Sequence, residues 1–194
     1  GPYESILDAI SETFPAGGIV VRDVTIPATT WASRMIEVAE PRQSLHASTV
    51  GIGQALPMAI GASIARPEVD VLVLVGDGGL LVNPGELSLI AEEGLSFTIV
   101  VFDDGGYGVL RNLQNKVFDE RRIGVDLESP DFVALAKAFG MEAVLVSDGN
   151  QFRSALGKAV ESPDAWMIVV DAEQLGTTPK PFTGTPPLDL YRPK

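Results

Sequence analysis

The residues in this chain with the clearest chemical reach are carboxylates at the ends of apolar runs. Asp77 follows Val71-Leu72-Val73-Leu74-Val75-Gly76, and Asp103-Asp104 follow the run from Phe97 to Phe102. Each run reads as a strand covered on both faces. Glycines accompany both ends: Gly76, Gly78 and Gly79 at the first, Gly105, Gly106 and Gly108 at the second. In an open parallel sheet, ligands bind at the carboxyl ends of the strands, where chain reversals expose backbone N–H groups and glycine lets them close around an anion. Asp77 and Asp104 lie 27 residues apart, one strand, helix, strand unit, so both project from the same sheet edge. Two carboxylates in an oxygen-rich site suit a hard cation such as Mg²⁺, which takes its remaining ligands from phosphate and water. Ordinary turn chemistry explains either turn alone. It does not explain the pair at this spacing.

Composition removes many other chemistries. The 194 residues include no cysteine, which excludes disulfides, thiolate nucleophiles, Fe–S clusters and cysteine-bound zinc. His46 is the only histidine, so no multi-histidine metal site can form. It closes what reads as a short strand, where it is either a substrate-side candidate or a surface or hydrogen-bonded residue. Lys+Arg 14 against Asp+Glu 26 leave a formal net charge of -12, which argues against nucleic acid and anionic membranes as partners. No apolar run reaches the roughly 20 residues of a membrane helix, and no signal sequence opens the chain, so a cytoplasmic protein is expected. Gly1-Pro2 reads as a tag remnant, with natural sequence expected upstream.

The scaffold expected to position these residues is an α/β fold with a mainly parallel sheet, since apolar runs alternate with segments of helical period. A chain of this length forms one domain that buries roughly 70% of its unfolded surface. Strands are expected at 19–21, 71–75, 97–102, 143–146 and 166–170, and helices at 3–14, 29–38, 54–65, 84–93, 131–139 and near 151–160. The domain is placed at 1–174. From Leu175 the tail carries five prolines (Pro179, Pro181, Pro186, Pro187, Pro193) and reads as extended. Arg111, Lys116, Arg121 and Arg122 make the segment after the second turn basic. It reads as a solvated, mobile loop, or as a lid or inter-subunit contact over the site. Trp31 and Trp166 read as packing residues. Gly51-Ile52-Gly53 with Leu56 lacks the preceding strand and third glycine of a dinucleotide fingerprint.

Gly76-Asp77-Gly78, 24 residues, then Asp103-Asp104-Gly105-Gly106-Tyr107-Gly108 resembles the thiamin-diphosphate-binding motif of the acetolactate synthase and benzoylformate decarboxylase superfamily. The likeness extends to Val50-Gly51-Ile52-Gly53-Gln54-Ala55-Leu56-Pro57 and covers roughly residues 3 to 172. It implies a three-layer sandwich of helices around the sheet, and thiamin diphosphate with Mg²⁺ as cofactors. It further implies that Asp77, Asp104 and the carbonyl of Gly106 hold the metal. The amides around Gly78, Gly79, Tyr107 and Gly108, with the turn at Thr25-Ile26, would take the diphosphate. Ile52 would prop the cofactor in a bent form, and the Val50 carbonyl would accept from the pyrimidine amino group. The bend brings that amino group beside the thiazolium C2, a proximity effect that prepares the ring for a 2-keto acid.

The family's Asn-Asn is here Asp103-Asp104, and the extra carboxylate strengthens the metal bond while repelling phosphate. The family also takes an activating glutamate from a pyrimidine-binding domain, in most cases across a dimer. No segment here resembles that domain, so the chain is expected to lack a complete active site alone and to work in a homo-oligomer. It could be a fragment of a longer decarboxylase or carboligase, or a natural small subunit of the sulfopyruvate or phosphonopyruvate decarboxylase type. A non-catalytic cofactor-binding relic is a third reading. A phosphoryl-accepting receiver domain fits poorly, because its paired acids should end the first strand and a lysine the last but one, where Ser147-Asp148-Gly149 stand.

Overall fold

The computed structural model describes residues 1–49 and 51–176. Its six strands are β1 (Ile19–Arg22), β2 (Ser44–His46), β3 (Val71–Gly76), β4 (Thr98–Asp103), β5 (Glu142–Val146) and β6 (Trp166–Asp171). They form one sheet, all parallel, in the order β2-β1-β3-β4-β6-β5. Successive side chains on a strand point to opposite faces, so the sheet feeds two cores. Val71, Val73 and Val75 of β3 join Ile99, Val101, Met167 and Val169 on one face. Leu72 and Leu74 join Val100, Phe102, Ile168 and Val170 on the other. Continuous apolar runs are what such doubly covered strands require.

The helices are α1 (Pro2–Thr13), α2 (Ser33–Met35), α3 (Ala55–Ala65), α4 (Asp77–Leu80), α5 (Leu87–Glu92), α6 (Gly108–Val117), α7 (Phe132–Ala138), α8 (Gly149–Glu161) and α9 (Ala172–Leu175). Leu56 and Ile60 of α3, Leu87 and Ile90 of α5 and Phe132 of α7 fill the first core. Ile6, Leu7 and Ile10 of α1 meet Phe152 and Leu156 of α8 in the second. The result is the expected three-layer sandwich. Trp31 and Trp166 pack against the second core. Two helix starts follow from capping: Asp131 accepts from the Ala134 amide at 2.9 Å, and Asp148 from Asn150 and Gln151 at 2.8 and 2.9 Å.

Two expectations need correction. The helix expected at 29–38 begins earlier, as a π-helical segment, Ile26–Ala32, that runs into α2 and ends at Ile36. Pro27 is tolerated in its first turn, where no amide donor is needed. Thr29 and Ser33 hydroxyls donate back to the Thr25 and Thr29 carbonyls, at 2.8 and 2.5 Å. The segment read as a loop after the second acidic turn is the helix α6. Of the basic residues only Arg111 and Lys116 lie on it; Arg121 and Arg122 follow in the non-helical stretch beyond, where Arg121 donates to the Phe118 carbonyl at 3.0 Å and Arg122 to Asn115 at 2.7 Å. The proline-containing stretch from residue 177 onward lies outside the described residues.

Phe152 is fully buried between α8, α1 and the sheet. Phe152→Ala is expected to lower unfolding free energy by about 3–5 kcal/mol in urea titration, and Asp148→Ala, which removes only the cap, by about 1 kcal/mol. Equal losses would contradict this division between core and cap.

Candidate functional site

The chain leaves β1 for β2 on one side and leaves β3 for β4 on the other, so the strand order reverses between β1 and β3. A crevice opens there outside the carboxyl ends of the strands. It is a cavity of about 640 Å³. The turn after β1 supplies Val24, Thr25 and Ile26, the turn after β3 supplies Gly76 to Gly79, and the turn after β4 supplies Asp104, Gly106, Tyr107 and Gly108. Gly51 and Ile52 form part of the wall ahead of α3.

Asp77 is only 1% exposed. Burial pushes its carboxyl up from the ordinary 3.8 to about 6; the amides of Gly78 and Gly106 oppose the rise, and Asp104 and Asp103 add to it. The Ser129 hydroxyl donates to Asp77 Oδ2 at 3.3 Å. Burial also raises Asp104, with the Arg111 guanidinium opposing and Asp103 reinforcing the rise. The two acids therefore crowd negative charge into a partly desolvated cleft. A divalent cation would relieve that crowding.

The glycines are required by close approach. A Cβ on Gly78 would stand 2.6 Å from the Tyr107 ring, and one on Gly76 would stand 3.0 Å from Thr25 Oγ1. Gly106, at φ +149, is pressed against the Val125 carbonyl. The 124–127 segment bridges this turn: the Tyr107 amide donates to Val125 at 2.8 Å and the Leu127 amide to Gly105 at 2.9 Å. Arg111 ties the same corner. It donates to the Asp104 carbonyl and to Asp126, each at 3.0 Å, and lies 3.9 Å from Asp104 Oδ2.

Thr25, Ile26, Gly51, Ile52, Gly76, Asp77, Gly78, Gly79, Asp104, Gly106, Tyr107 and Gly108 thus line one cavity. The Tyr107 amide, expected to face the diphosphate, is already engaged by Val125, so Tyr107 presents its ring to Gly78 instead. The Gly106 carbonyl accepts from the Gly108 amide at 3.1 Å and keeps a second lone pair. His46 is exposed at the end of the edge strand β2 and does not line the cavity. Val50 lies outside the described residues. Among the described residues no three Asp, Glu, His or Cys side chains converge as a metal cage. A metal here would rest on two carboxylates and main-chain oxygen.

Sequence reasoning missed two residues. Tyr3, from α1, lines the cavity and stacks on Phe102 with ring centroids 6.4 Å apart; burial, then Asp104, pushes its phenol up to about 12. Nothing in the local sequence marks it, because only tertiary packing carries α1 to this edge. Asp23 is buried at the end of β1. The signal for it was present: Val20-Val21-Arg22-Asp23 repeats the pattern of an apolar run ending in Asp.

A diphosphate-binding class of α/β domain is defined by this switch-point cleft, its glycine turns and its strand-end acids. The chain belongs to the family described as the thiamine pyrophosphate enzyme, C-terminal TPP binding domain, which matches residues 27–170. Thiamin diphosphate is that family's cofactor. The probable acetolactate synthase large subunit of Methanocaldococcus jannaschii is 34% identical over 154 residues, 77% of this chain and 26% of the relative. The acetolactate synthase isozyme 2 large subunit of Escherichia coli is 31% identical over 88% of this chain and 31% of its own length. A solved thiamine diphosphate-dependent 4-hydroxybenzoylformate decarboxylase from Rhodococcus jostii RHA1 shares the fold, with TM-score 0.79 and 24% identity, covering 88% of this chain and 33% of that one. The chain therefore spans about a quarter to a third of the relatives it matches. Among the described residues no helix is long and apolar enough to cross a membrane.

A raised carboxyl binds its proton more tightly in the folded chain than in the unfolded one. The stability tied to Asp77 is present below about pH 3.8 and is lost as pH rises through about 6. Asp77→Asn is therefore expected to stabilise the metal-free chain by about 2 kcal/mol at pH 8 and by much less at pH 4. Denaturant titrations at the two pH values check this, and a gain at pH 4 as large as at pH 8 would contradict it.

Proposed function

We propose that residues 1–174 are the diphosphate- and Mg²⁺-binding domain of a thiamin-diphosphate-dependent 2-keto acid decarboxylase or carboligase of the acetolactate synthase type. The observation that carries this reading is the convergence of Asp77, Asp104 and Gly106 with a glycine cradle and Ile52 around one cavity at the switch point. The residues fit the cofactor. Asp77 is buried with the half-buried Asp104 beside it, charge that a cation would offset, and Gly76 and Gly78 leave no room for side chains against Thr25 and Tyr107 at the cavity wall.

In this reading the carboxylates of Asp77 and Asp104, with the Gly106 carbonyl, hold Mg²⁺. The Gly79 amide, in the opening turn of α4, and the Thr25-Ile26 turn take diphosphate oxygens, while Tyr107 and Gly108 close the wall. Ile52 would prop the cofactor, and Val50, outside the described residues, is assigned to its pyrimidine end from the resemblance alone. When bound, the cofactor supplies a thiazolium ring that accepts the electrons released as CO₂ leaves a 2-keto acid. Arg111, beside Asp104, offsets the charge that distinguishes this site from one with an amide at that position.

Among the described residues no glutamate lines the main cavity; in this reading a pyrimidine-binding domain or subunit supplies the activating one. The outer face of α6 supports such a partner. Val109, Leu110, Leu113 and Val117 each expose about half of their surface beside the cavity mouth, and none of the helix is buried. The same reading places the working enzyme in a homo-oligomer in the cytoplasm. A separate small subunit and a part of a longer chain both require this partner.

Calorimetric titration of the chain with thiamin diphosphate and Mg²⁺ is expected to show binding. Asp104→Asn is expected to tighten cofactor several-fold by removing one negative charge facing the diphosphate. Absence of heat from both proteins would sink the cofactor assignment. Mixed with cofactor and 2-keto acids, the chain alone should release no CO₂; steady release would refute the missing glutamate.

A further inference from the structure

Asp23 is one of two acids buried to 2% or less among the described residues, and unlike Asp77 it does not line the cavity. Its partners are main-chain amides. Oδ1 accepts from Val24 at 2.6 Å and Gly53 at 3.1 Å, and Oδ2 accepts from Gly53 at 2.9 Å and Ala55 at 3.1 Å. Ala55 opens α3, so the carboxylate also faces the positive end of that helix dipole. Gly53, at φ +82, is pinned from its other side by Val82, whose Cβ would lie 2.6 Å from a Cβ placed there. Gly79 packs against the same carboxyl group, 3.4 Å from the position its Cβ would take. The carboxylate therefore sits between the turn that carries Ile52 and the turn that carries Asp77.

We propose that Asp23 is a positioning residue. It sets the Gly51–Gln54 turn against the Gly76–Gly79 turn, and so governs how well Ile52 meets the thiamin portion of the cofactor without contributing to its diphosphate anchor. This rests on the reading that the cavity takes thiamin diphosphate with Ile52 as its prop. A carboxylate suits the role because both oxygens accept. An asparagine offers one oxygen, and its NH₂ would face the amides it replaces.

The test compares two ligands, thiamin diphosphate with Mg²⁺ and inorganic pyrophosphate with Mg²⁺, titrated calorimetrically into the full chain. Asp23→Asn is expected to weaken thiamin diphosphate about tenfold and to leave pyrophosphate within twofold. Ile52→Ala should give the same split, and the double variant should bind no worse than either single one, because both remove the same contact. Equal loss for both ligands, no loss for either, or additive losses would overturn the proposal. If Asp23→Asn does not fold, Asp23→Ser is measured in its place, and failure of both to fold makes Asp23 a folding residue and overturns it. Wild-type chain that takes up pyrophosphate but no thiamin diphosphate would overturn the cavity reading instead. The positioning role is then read on the ligand-free chain, where Asp23→Asn should speed amide hydrogen exchange at Gly53 and Ala55 at least tenfold. Unchanged exchange would overturn it.

Discussion

A carboxylate buried beside two others is the constraint around which this domain is arranged. Asp77 is almost wholly withdrawn from water, with Asp104 and Asp103 near enough to raise its pKa further. Burying a charge is costly unless something pairs with it. The surroundings supply partial compensation in the amides of Gly78 and Gly106 and the Ser129 hydroxyl. A proton at low pH, or the proposed cation, would complete it. In the proposed reading the fold holds this electrostatic tension in reserve for the cofactor and its cation, and the glycine turns leave space beside it.

The rest of the architecture delivers that tension to one edge. Parallel strands covered on both faces must carry apolar side chains to either side, so the polar chemistry can stand only at their ends. With the strand order reversing between β1 and β3, three acid-bearing strand ends come to one sheet edge: Asp23 after β1, Asp77 after β3, Asp104 after β4. Their tasks differ by environment. Asp23 is consumed by backbone amides and organises the turn before α3. Asp77 and Asp104 open onto the cavity, and Arg111 leans on Asp104 from the helix that follows.

That helix is where the proposed partner domain would meet the cavity. Its first turn lines the cavity, and its apolar face is left uncovered. Large apolar side chains elsewhere, such as Ile64 on α3 and Leu145 on β5, are exposed singly, whereas those of α6 share one face. The chain spans a quarter to a third of its relatives, and in the proposed reading the open apolar wall beside the cavity is where a second domain docks.

Much of this was legible in the residues alone. The strands announced themselves because burial on both faces demands unbroken apolar runs, and Asp77 and Asp104 were readable as a pair because two glycine-flanked acids one strand, helix, strand unit apart share a sheet edge. Alternation of strand and helix was enough to indicate a parallel sheet and so a shared edge. Other features were decided by tertiary structure. The basic segment from Arg111 looked like a solvated loop because its charges had no visible partners; folding supplies Asp104 and Asp126 for Arg111 and makes the part up to Val117 a helix, leaving Arg121 and Arg122 in the non-helical stretch after it. Tyr3 reaches the cavity only because α1 packs against α8 and the sheet, a contact across most of the chain that no local pattern encodes. The engagement of the Tyr107 amide by Val125 likewise depends on a distant segment crossing the turn. Local sequence determines which backbone a residue prefers and which face it buries; which groups finally meet is set by packing between elements far apart in the chain.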